Sequence, residues 1–286
     1  MGFDRCYYYT NKGDKRADNQ DALALPGKAV MGDMDEVAEF IPVPIKKDKW
    51  HYFPMLYAVV DGMNGEAGGA IAAKTIAGIL SSAVCAEASA PSIMNLFNQA
   101  SRSLAKYVEK KKKAQGKQWW LRAEGEQRWL DYKTMGAVVA GLIIYPDRGR
   151  AAVFNCGDSR VYRWHRGHGD KEPKLVKLSH EHSVVQKMVD NGWITEAQMR
   201  LHPRRNQLTA AIGADQWLTP THLHTEPIWL YSSDAYLICS DGLWEALTRE
   251  QIEEAFRTEK PEQRLLELLR GVTCDDNVSF IVLRDK

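Results

Sequence analysis

Five aspartates, widely spaced along the chain, form the most chemically informative pattern in the sequence. Each adjoins an apolar run or lies in a turn-like segment: Asp21, Asp61, Asp158, Asp241 and Asp276. If folding gathers these carboxylates at the rim of a sheet, they will repel one another, because a poorly solvated cleft screens charge weakly. A hard divalent cation such as Mg²⁺ or Mn²⁺, which prefers oxygen ligands, relieves such repulsion. The pattern therefore predicts a metal-dependent hydrolase.

The overall composition is that of an ordinary globular protein and disfavours two classes of partner. With 38 basic and 37 acidic side chains the net charge is +1, so no global field attracts nucleic acid or an anionic membrane. No apolar stretch approaches the roughly 20 residues that a membrane-spanning helix needs. The N-terminal residues lack a basic start followed by an apolar segment, so no secretory signal is predicted.

The five cysteines indicate buried, reduced thiols and therefore a cytoplasmic location. None forms a Cys-x-x-Cys pair. A cysteine-based phosphatase would also need an arginine six positions after its nucleophile to hold the phosphate. The residues at those positions are Lys12, Pro91, Tyr162, Glu245 and Phe280. That mechanism is excluded.

Strand-like and helix-like segments alternate along the chain and would have to position the carboxylates. The apolar run 55–60 ends at Asp61-Gly62, which is typical of a strand that delivers its side chain into a turn. Two long amphipathic helices should follow, with Ser92 as the N-cap of the second. The remaining predictions are strands over 135–145, 150–155, 160–165, 217–230, 235–239 and 277–283, and helices over 182–190, 195–200, 249–258 and 261–270. This order favours an α+β fold in which helices cover antiparallel sheet.

The first and last aspartates of the pattern predict the domain organisation. Asp21 and Asp276 can share a site only if both termini belong to one fold, so we predict a single domain over 1–286. Residues 26–54 and 116–133 are predicted to be surface insertions. The second contains three tryptophans after a basic run, a pattern also found on nucleic-acid surfaces. We favour a solvated segment that packs its tryptophans on the domain, and no nucleic-acid partner.

Two histidine pairs, His180/His182 and His222/His224, point weakly toward a zinc site. Neither pair has the glutamate-containing helical spacing of a zinc hydrolase. Packing or surface roles are therefore predicted for them.

Taken together and in order, the motifs resemble the metal-dependent type 2C serine/threonine protein phosphatases (the PPM family), most closely its bacterial stand-alone branch. The resemblance extends from Arg16 to Val282. Its pieces are Arg16-x-x-Asn19-Gln20-Asp21, Asp61-Gly62-Met63, Met135-Gly136, Gly157-Asp158-Ser159-Arg160, Leu178–Ser183, His202–Gly213, Ser240-Asp241-Gly242-Leu243 and Asp276-Asn277. It implies an α-β-β-α sandwich, in which two packed, mainly antiparallel sheets are flanked by helices.

The resemblance also implies a metal-dependent hydrolysis of phosphoserine and phosphothreonine in proteins, without a covalent intermediate. Two Mn²⁺ or Mg²⁺ ions per site are implied, with a weaker third. Asp61 would bridge the first two ions, and the Gly62 carbonyl would bind one of them. Asp241 and Asp276 would bind the other. Water held between the ions would attack phosphorus.

Three further residues receive roles from the resemblance. Asp21 belongs to the metal site as the carboxylate that orients metal-bound water, and it counts as catalytic. Arg16 is the second catalytic residue and would grip the substrate phosphate with its fork of donors. Asp158, with Asp241, would complete the weaker third metal site.

The chain departs from the family pattern near the implied site. Gln20 stands where many members carry glutamate, and Met63 replaces a histidine of eukaryotic members. Ala137-Val138 replace a hydroxyl-bearing pair, and Glu181 replaces an aspartate. None of these replacements removes a residue that is implied to bind a metal ion directly.

The implied partners are phosphorylated proteins and an opposing serine/threonine kinase, with no membrane partner. Residues 179–207 correspond to a flap beside the site. The cationic residues His202, Arg204 and Arg205 in this flap suit an anionic substrate, and an ordinary solvated loop explains them equally well. Two other functions stay open: a catalytically weak or silent member that binds phosphoproteins, and a hydrolase of small phosphoesters.

Overall fold

Two antiparallel sheets with helices on their outer faces make up the described part of the chain. The computed structural model describes residues 3, 5–32, 39–41, 54–63, 67–83, 89–115, 135–167, 172–214, 218–231 and 233–285. The strands are β1 (Arg5–Asn11), β2 (Ala22–Leu25), β3 (Lys28–Met31), β4 (Glu39–Ile41), β5 (Met55–Met63), β6 (Gly136–Tyr145), β7 (Arg150–Cys156), β8 (Arg160–His165), β9 (Lys174–Lys177), β10 (Ile212–Gly213), β11 (His224–Trp229), β12 (Ala235–Cys239) and β13 (Val278–Arg284). The helices are α1 (Ala67–Ser81), α2 (Ala90–Gln115), α3 (Val184–Asp190), α4 (Glu196–Met199), α5 (Asp241–Ala246), α6 (Arg249–Phe256) and α7 (Pro261–Arg270).

The strand order brings the two ends of the chain together. One sheet has the order β4-β1-β13-β12-β8-β9, and the other has the order β11-β7-β6-β5-β2-β3, with β10 paired to β6. In the first sheet β1 pairs with β13 along its whole length, from Arg5 opposite Arg284 to Asn11 opposite Val278. The N-terminal and C-terminal acidic motifs therefore meet at one end of this strand pair.

Three apolar layers hold the sheets and helices together. The layer between the sheets includes Tyr8, Leu23, Tyr57, Leu142, Ile238 and Ile281. A second layer packs α1 and α2 on one sheet, with Ile76 and Phe97 fully buried. A third packs α5, α6 and α7 on the other, around Leu265 and Phe280. All ten residues of β6 are buried, as expected for a strand covered on both faces. The predicted α-β-β-α sandwich is confirmed.

The start of α2 differs from its prediction. The helix begins at Ala90, so Ser92 lies inside its first turn and the predicted N-cap at Ser92 is wrong. The backbone N–H of Ser92 donates to the Ser89 hydroxyl at 3.3 Å. Pro91 is tolerated here because the first N–H groups of a helix have no partner within the helix.

The predicted bounds of several other strands and helices agree more closely with the structure. Helix α7 has its predicted bounds, and β6, β7, β8 and β12 differ from theirs by no more than one residue. The predicted strand over 217–230 is shorter, because a 3₁₀ turn at Pro220–His222 precedes β11. The stretch 26–54 contains β3, which completes a hairpin with β2, and β4, which pairs with β1. Residues 116–133 lie outside the described residues.

Among the helices of the described residues, none combines the length and the apolar character that a membrane crossing requires.

Candidate active site

The five aspartates occupy strand ends and turns, as their sequence context predicts. Asp21 immediately precedes β2, and Asp61 lies near the end of β5. Asp158 lies in the turn from β7 to β8, Asp241 opens α5 directly after β12, and Asp276 precedes β13. Both sheets therefore contribute carboxylates to the same region.

Four of these carboxylates line one cleft of about 470 Å³. They are Asp61, Asp158, Asp241 and Asp276. Arg16 and Gly62 also line this cleft, which we call the acidic cleft. Asp21 is only 2% exposed and is close enough to Asp61 for the two charges to interact.

Two glycines that follow aspartates are required by close contacts between chain segments. A Cβ atom at Gly62 would lie 2.4 Å from the carbonyl oxygen of Gly69. At Gly242 it would lie 2.1 Å from the carbonyl oxygen of Asn277. Neither distance is possible for real atoms, so any side chain would push the neighbouring backbone away. The Asp-Gly motifs are therefore tight junctions that fix the position of the preceding carboxylate.

Asn277 joins the N-terminal loop to the C-terminal acidic motif. Its side-chain oxygen accepts the backbone N–H of Gln20 at 2.8 Å. Its amide nitrogen donates to the carbonyl oxygens of Lys12 at 2.8 Å and Asp18 at 2.9 Å. The loop that carries Arg16 is thereby held against the turn that carries Asp276. The sequence motif contains Asn277, but sequence reasoning assigned it no role.

A buried polar layer supports Asp21. The Asn19 side chain accepts the backbone N–H of Asp21 at 3.1 Å and donates to the Thr10 hydroxyl at 2.8 Å. Thr10 in turn contacts the Ser279 hydroxyl at 2.8 Å. Because Thr10 and Ser279 lie on the paired strands β1 and β13, this layer links Asp21 to the strand pair that joins the chain ends.

The pKa values of Asp21, Asp61 and Asp241 are raised. Burial raises the pKa of Asp21 to about 7, and the neighbouring charge of Asp276 adds to the effect. Burial also raises the pKa of Asp61 and of Asp241 well above the ordinary aspartate value. For Asp61 the charges of Asp21 and Asp241 act in the same direction. Such shifts mark sites where like charges are held together in poorly solvated surroundings.

Asp158 lies in a turn that is braced by a buried aromatic and ionic cluster. The indole N–H of Trp244 donates to the Asp158 carbonyl oxygen at 3.2 Å. The guanidinium of Arg160 lies 3.6 Å from the centre of the Trp244 ring and donates to Glu181 at 2.7 Å. Burial and the Glu181 charge raise the pKa of Asp158 to about 7. Sequence reasoning missed Trp244 because a tryptophan after Asp-Gly-Leu is indistinguishable from an ordinary core residue.

Arg16 is positioned at the cleft by an acidic partner. Its guanidinium donates to the Asp276 carboxylate at 2.5 Å, and half of the side chain remains exposed. This hydrogen bond raises the pKa of Arg16 further. A guanidinium has five N–H donors, so Arg16 can contact an incoming oxyanion while it stays paired with Asp276.

The carboxylates fit a hydrated divalent cation. Both side-chain oxygens of Asp21 and Oδ1 of Asp241 are buried and have no hydrogen-bond partner among the described residues. A buried carboxylate oxygen without a partner is costly, and a cation removes that cost. Within the described residues, no three His, Cys, Asp or Glu side chains converge closely enough to enclose a cation by themselves.

The histidine pairs have packing and surface contacts. His182 Nδ1 accepts the backbone N–H of Gly157 at 3.3 Å, and burial lowers the pKa of His182 to about 4. His180 contacts Asp190, and His222 contacts Thr219. No metal-binding group of histidines occurs in the part of the chain that the structure describes.

Three of the departures from the family pattern line the cleft itself. Gln20 and Met63 both line it, and so does Val138. Ala137 is fully buried and pairs with Gly62 on β5. None of the four offers a carboxylate, so the described cleft has only its aspartates as anionic groups.

Comparisons with known proteins find bacterial serine/threonine phosphatases of similar sequence. No protein-family model matches the chain. The serine/threonine protein phosphatase PstP of Mycobacterium tuberculosis is 29% identical over 155 residues, which is 53% of this chain. That alignment spans only 28% of the relative's length. The serine/threonine phosphatase stp of Listeria monocytogenes is 26% identical over 205 residues, or 71% of each chain.

Solved structures extend the similarity to the whole fold. The M. tuberculosis phosphatase PstP/Ppp superposes with a TM-score of 0.70 at 22% identity, over 99% of both chains. A PstP catalytic domain in complex with two manganese ions has a TM-score of 0.66 at 21% identity, over 98% of this chain and all of that one. The chain is thus similar in sequence to curated bacterial serine/threonine phosphatases and has the fold of the solved ones.

Proposed function

We propose that the protein hydrolyses phosphoserine and phosphothreonine in proteins, using divalent cations held in the acidic cleft. One observation carries the proposal. Carboxylates from both sheets meet Arg16 in a single cleft, and the pKa values of Asp61 and Asp241 there are raised. Oδ1 of Asp241 and both carboxylate oxygens of the neighbouring Asp21 are buried without a hydrogen-bond partner among the described residues. Anionic groups at such density have no evident structural use, and they suit cation-assisted phosphoryl transfer.

Four carboxylates and one backbone carbonyl would hold the cations. We assign Asp61, with the Gly62 carbonyl, to the centre of the site, and Asp241 and Asp276 to a second ion. Asp158 would serve a weaker third ion together with Asp241. When bound, the cations would neutralise the phosphoryl oxygens and make water acidic enough to attack phosphorus. Mn²⁺ and Mg²⁺ both suit these oxygen ligands, and the two manganese ions of the PstP complex favour the pair.

The remaining residues would bind and orient the reactants. Arg16 lies at the cleft with donors to spare and would grip the phosphoryl oxygens. Asp21 would accept a hydrogen bond from the attacking water through its unpaired carboxylate oxygens. The described lining of the cleft contains no cysteine, serine or histidine, which favours direct attack by water over a phosphoenzyme. Because Met63 cannot donate a proton, water or another group would protonate the leaving oxygen.

We also propose that the protein acts in the cytoplasm. Four cysteines of the described residues are buried free thiols: Cys6, Cys156, Cys239 and Cys274. Reduced thiols favour the cytoplasm, where a serine/threonine kinase would supply the phosphoprotein substrates.

The test is hydrolysis of a phosphothreonine peptide with Mn²⁺ and with EDTA, by the wild type and by Asp241→Asn. We expect turnover only for the wild type with metal. Asp234→Asn alters a buried aspartate outside the cleft and is the control for loss of fold. Circular dichroism gives the folded fraction of both variants, so the loss of turnover in each can be compared with its loss of fold. Equal turnover by Asp241→Asn would refute the metal assignment. A folded wild type that binds phosphopeptide without hydrolysing it would favour the silent phosphoprotein-binding function.

A further inference from the structure

Two exposed aromatic side chains and two exposed arginines lie together at one edge of the second sheet. Trp229 is the last residue of the edge strand β11 and is 55% exposed, and Tyr231 follows it and is 46% exposed. Arg148, in the turn from β6 to β7, and Arg150, the first residue of β7, are exposed as well. We call these four residues the arginine–aromatic patch. Tryptophan, tyrosine and arginine are the residue types that contribute most to binding between proteins.

The arginine–aromatic patch is remote from the acidic cleft. Strand β7 begins at Arg150 and ends at Cys156, two residues before Asp158 of the cleft. Since a strand advances about 3.3 Å per residue, the patch lies roughly 20 Å from the cleft. None of its four residues is among the described residues that line the cleft. The patch therefore has no part in the proposed reaction.

The arginines of the patch are held in place by aromatic rings. Arg150 lies directly opposite Tyr145 on β6 and Trp229 on β11, so these side chains form one row across the sheet. The guanidinium of Arg150 lies 4.1 Å from the centre of the Trp229 ring. That of Arg148 lies 5.8 Å from the centre of the Tyr145 ring. Stacking of this kind restricts long side chains, so a partner loses less free energy in ordering them.

The carboxylates near Arg150 are engaged by other cations. Asp147 pairs with Arg148 at 3.6 Å. Asp234 is buried and accepts from Arg163 at 2.5 Å. In the part of the chain that the structure describes, no carboxylate forms an ion pair with Arg150. A guanidinium that keeps one face on a ring still presents its N–H donors along its edge, where a carboxylate can accept two of them.

The patch favours a short acidic segment of another protein over three other occupants. Pro227, exposed in the middle of the edge strand β11, has no N–H, so the strand is poorly suited to pair with an added strand. A symmetric dimer through the patch would bring the Arg150 side chains of two copies together. Single-stranded nucleic acid binds by stacking its bases on free aromatic faces. Here Trp229 is covered by Arg150, and the guanidinium of Arg163 lies 5.0 Å from the centre of the Tyr231 ring.

We propose that the arginine–aromatic patch binds an acidic segment of a partner protein that also carries an apolar side chain. A carboxylate of the segment accepts two hydrogen bonds from Arg150, and the apolar side chain packs against Trp229 and Tyr231. Burial of the exposed ring surface drives the second contact. Four side chains cover much less than the roughly 800 Å² per partner of a stable interface, so the segment is short and its binding is reversible. The inference does not depend on the proposed phosphatase function.

The test measures the binding of unphosphorylated peptides to the full chain by fluorescence polarisation. The probes are labelled Gly/Ser peptides of about 12 residues that carry Glu-Glu and one Leu, separated by zero to three residues. Matched peptides replace Glu-Glu by Gln-Gln, or Leu by Ser. The variants of the patch are Arg150→Gln, Arg150→Lys and Trp229→Ser. Arg102→Gln and Trp193→Ser are the controls, because Arg102 is an exposed arginine of α2 and Trp193 is a 72% exposed tryptophan outside the patch.

We expect at least one probe to bind about tenfold more tightly than its Gln-Gln and Ser counterparts. Arg150→Gln should remove the preference for Glu, and Trp229→Ser should remove the preference for Leu. Arg150→Lys should keep part of the preference for Glu, because lysine retains the charge but not the planar fork. The two control variants should bind as the wild type does. Absence of these preferences in the wild type, their survival in Arg150→Gln and Trp229→Ser, or their equal loss in the controls would overturn the inference.

Two further measurements test the other occupants. An oligothymidylate of about 12 nucleotides that binds more tightly than every peptide, and is lost in Arg150→Gln, would overturn the inference in favour of nucleic acid. A dimer in analytical ultracentrifugation that dissociates in Trp229→Ser would overturn it in favour of self-association. A monomer that binds the acidic probes in preference to the oligonucleotide supports it. Circular dichroism checks that each variant is folded, and Arg150→Lys and Trp229→Phe replace any variant that is not.

Discussion

Replacing Asp21 with asparagine should stabilise the metal-free protein while it impairs catalysis. Asp21 is 2% exposed, and neither carboxylate oxygen has a hydrogen-bond partner among the described residues. Burial raises its pKa to about 7, so at pH 8 the folded chain holds a charge that water would solvate far better. Asp21→Asn removes that charge and keeps the side-chain shape.

The size of the effect follows from the pKa. A carboxyl pKa raised from near 4 to about 7 corresponds to about 4 kcal/mol of unfavourable free energy, at about 1.4 kcal/mol per pH unit. The unfolded chain loses this proton near pH 4 and the folded chain near pH 7, so stability falls as the pH rises through this window. The buried asparagine amide needs new partners, which offsets about half of the gain. A net gain of about 2 kcal/mol at pH 8 remains, or about 4–8 °C in Tm.

The assay is thermal unfolding in EDTA, followed by circular dichroism at pH 8 and at pH 5. At pH 5 the gain should nearly vanish, because most of the wild-type Asp21 carboxyl is then protonated in the fold. Asp234→Asn is the matched control. Asp234 is also buried, but it accepts from Arg163 at 2.5 Å and from His165 at 3.0 Å, so its loss should destabilise the protein by about 3–5 kcal/mol.

One result would refute the reasoning. If Asp21→Asn in EDTA unfolds at or below the wild-type temperature at pH 8, the Asp21 charge is not a source of instability. A gain of equal size at pH 5 would also contradict the argument, because the effect would then not come from ionisation.

Three further outcomes follow from the site. Asp241→Asn should abolish turnover with the fold intact and reduce the rise in Tm that Mn²⁺ causes; an unchanged Mn²⁺ response in a thermal titration would contradict the ligand assignment. Asp158→Ala should raise the Mn²⁺ concentration needed for half-maximal rate without abolishing turnover, which a metal titration of kcat would measure; an unchanged curve would count against its role. Gly242→Ala should destabilise the protein by about 3 kcal/mol or more, because its Cβ would meet the Asn277 carbonyl at 2.1 Å; urea unfolding would measure this, and a neutral result would show that the junction can relax.

Local patterns predicted most of the elements that carry the site. Alternation and turn residues located β6, β7 and β8, and a proline start with an arginine end located α7. The prediction failed at Ser92, because a local signal cannot tell whether proline stands before a helix or within its first turn. It was also too long at residues 217–230, where apolar residues continue through a 3₁₀ turn into β11.

The sequence by itself predicted which residues would carry the chemistry, because the order of the acidic motifs along the chain is distinctive. Only the tertiary structure decided which groups meet. The pairing of β1 with β13 brings Asp21 to Asp276, and Asn277 then fixes the loop that carries Arg16. These contacts join residues from opposite ends of the chain, and no local propensity encodes them. They form because burying the apolar faces of two sheets leaves the strands a single register in which the polar strand ends share one rim.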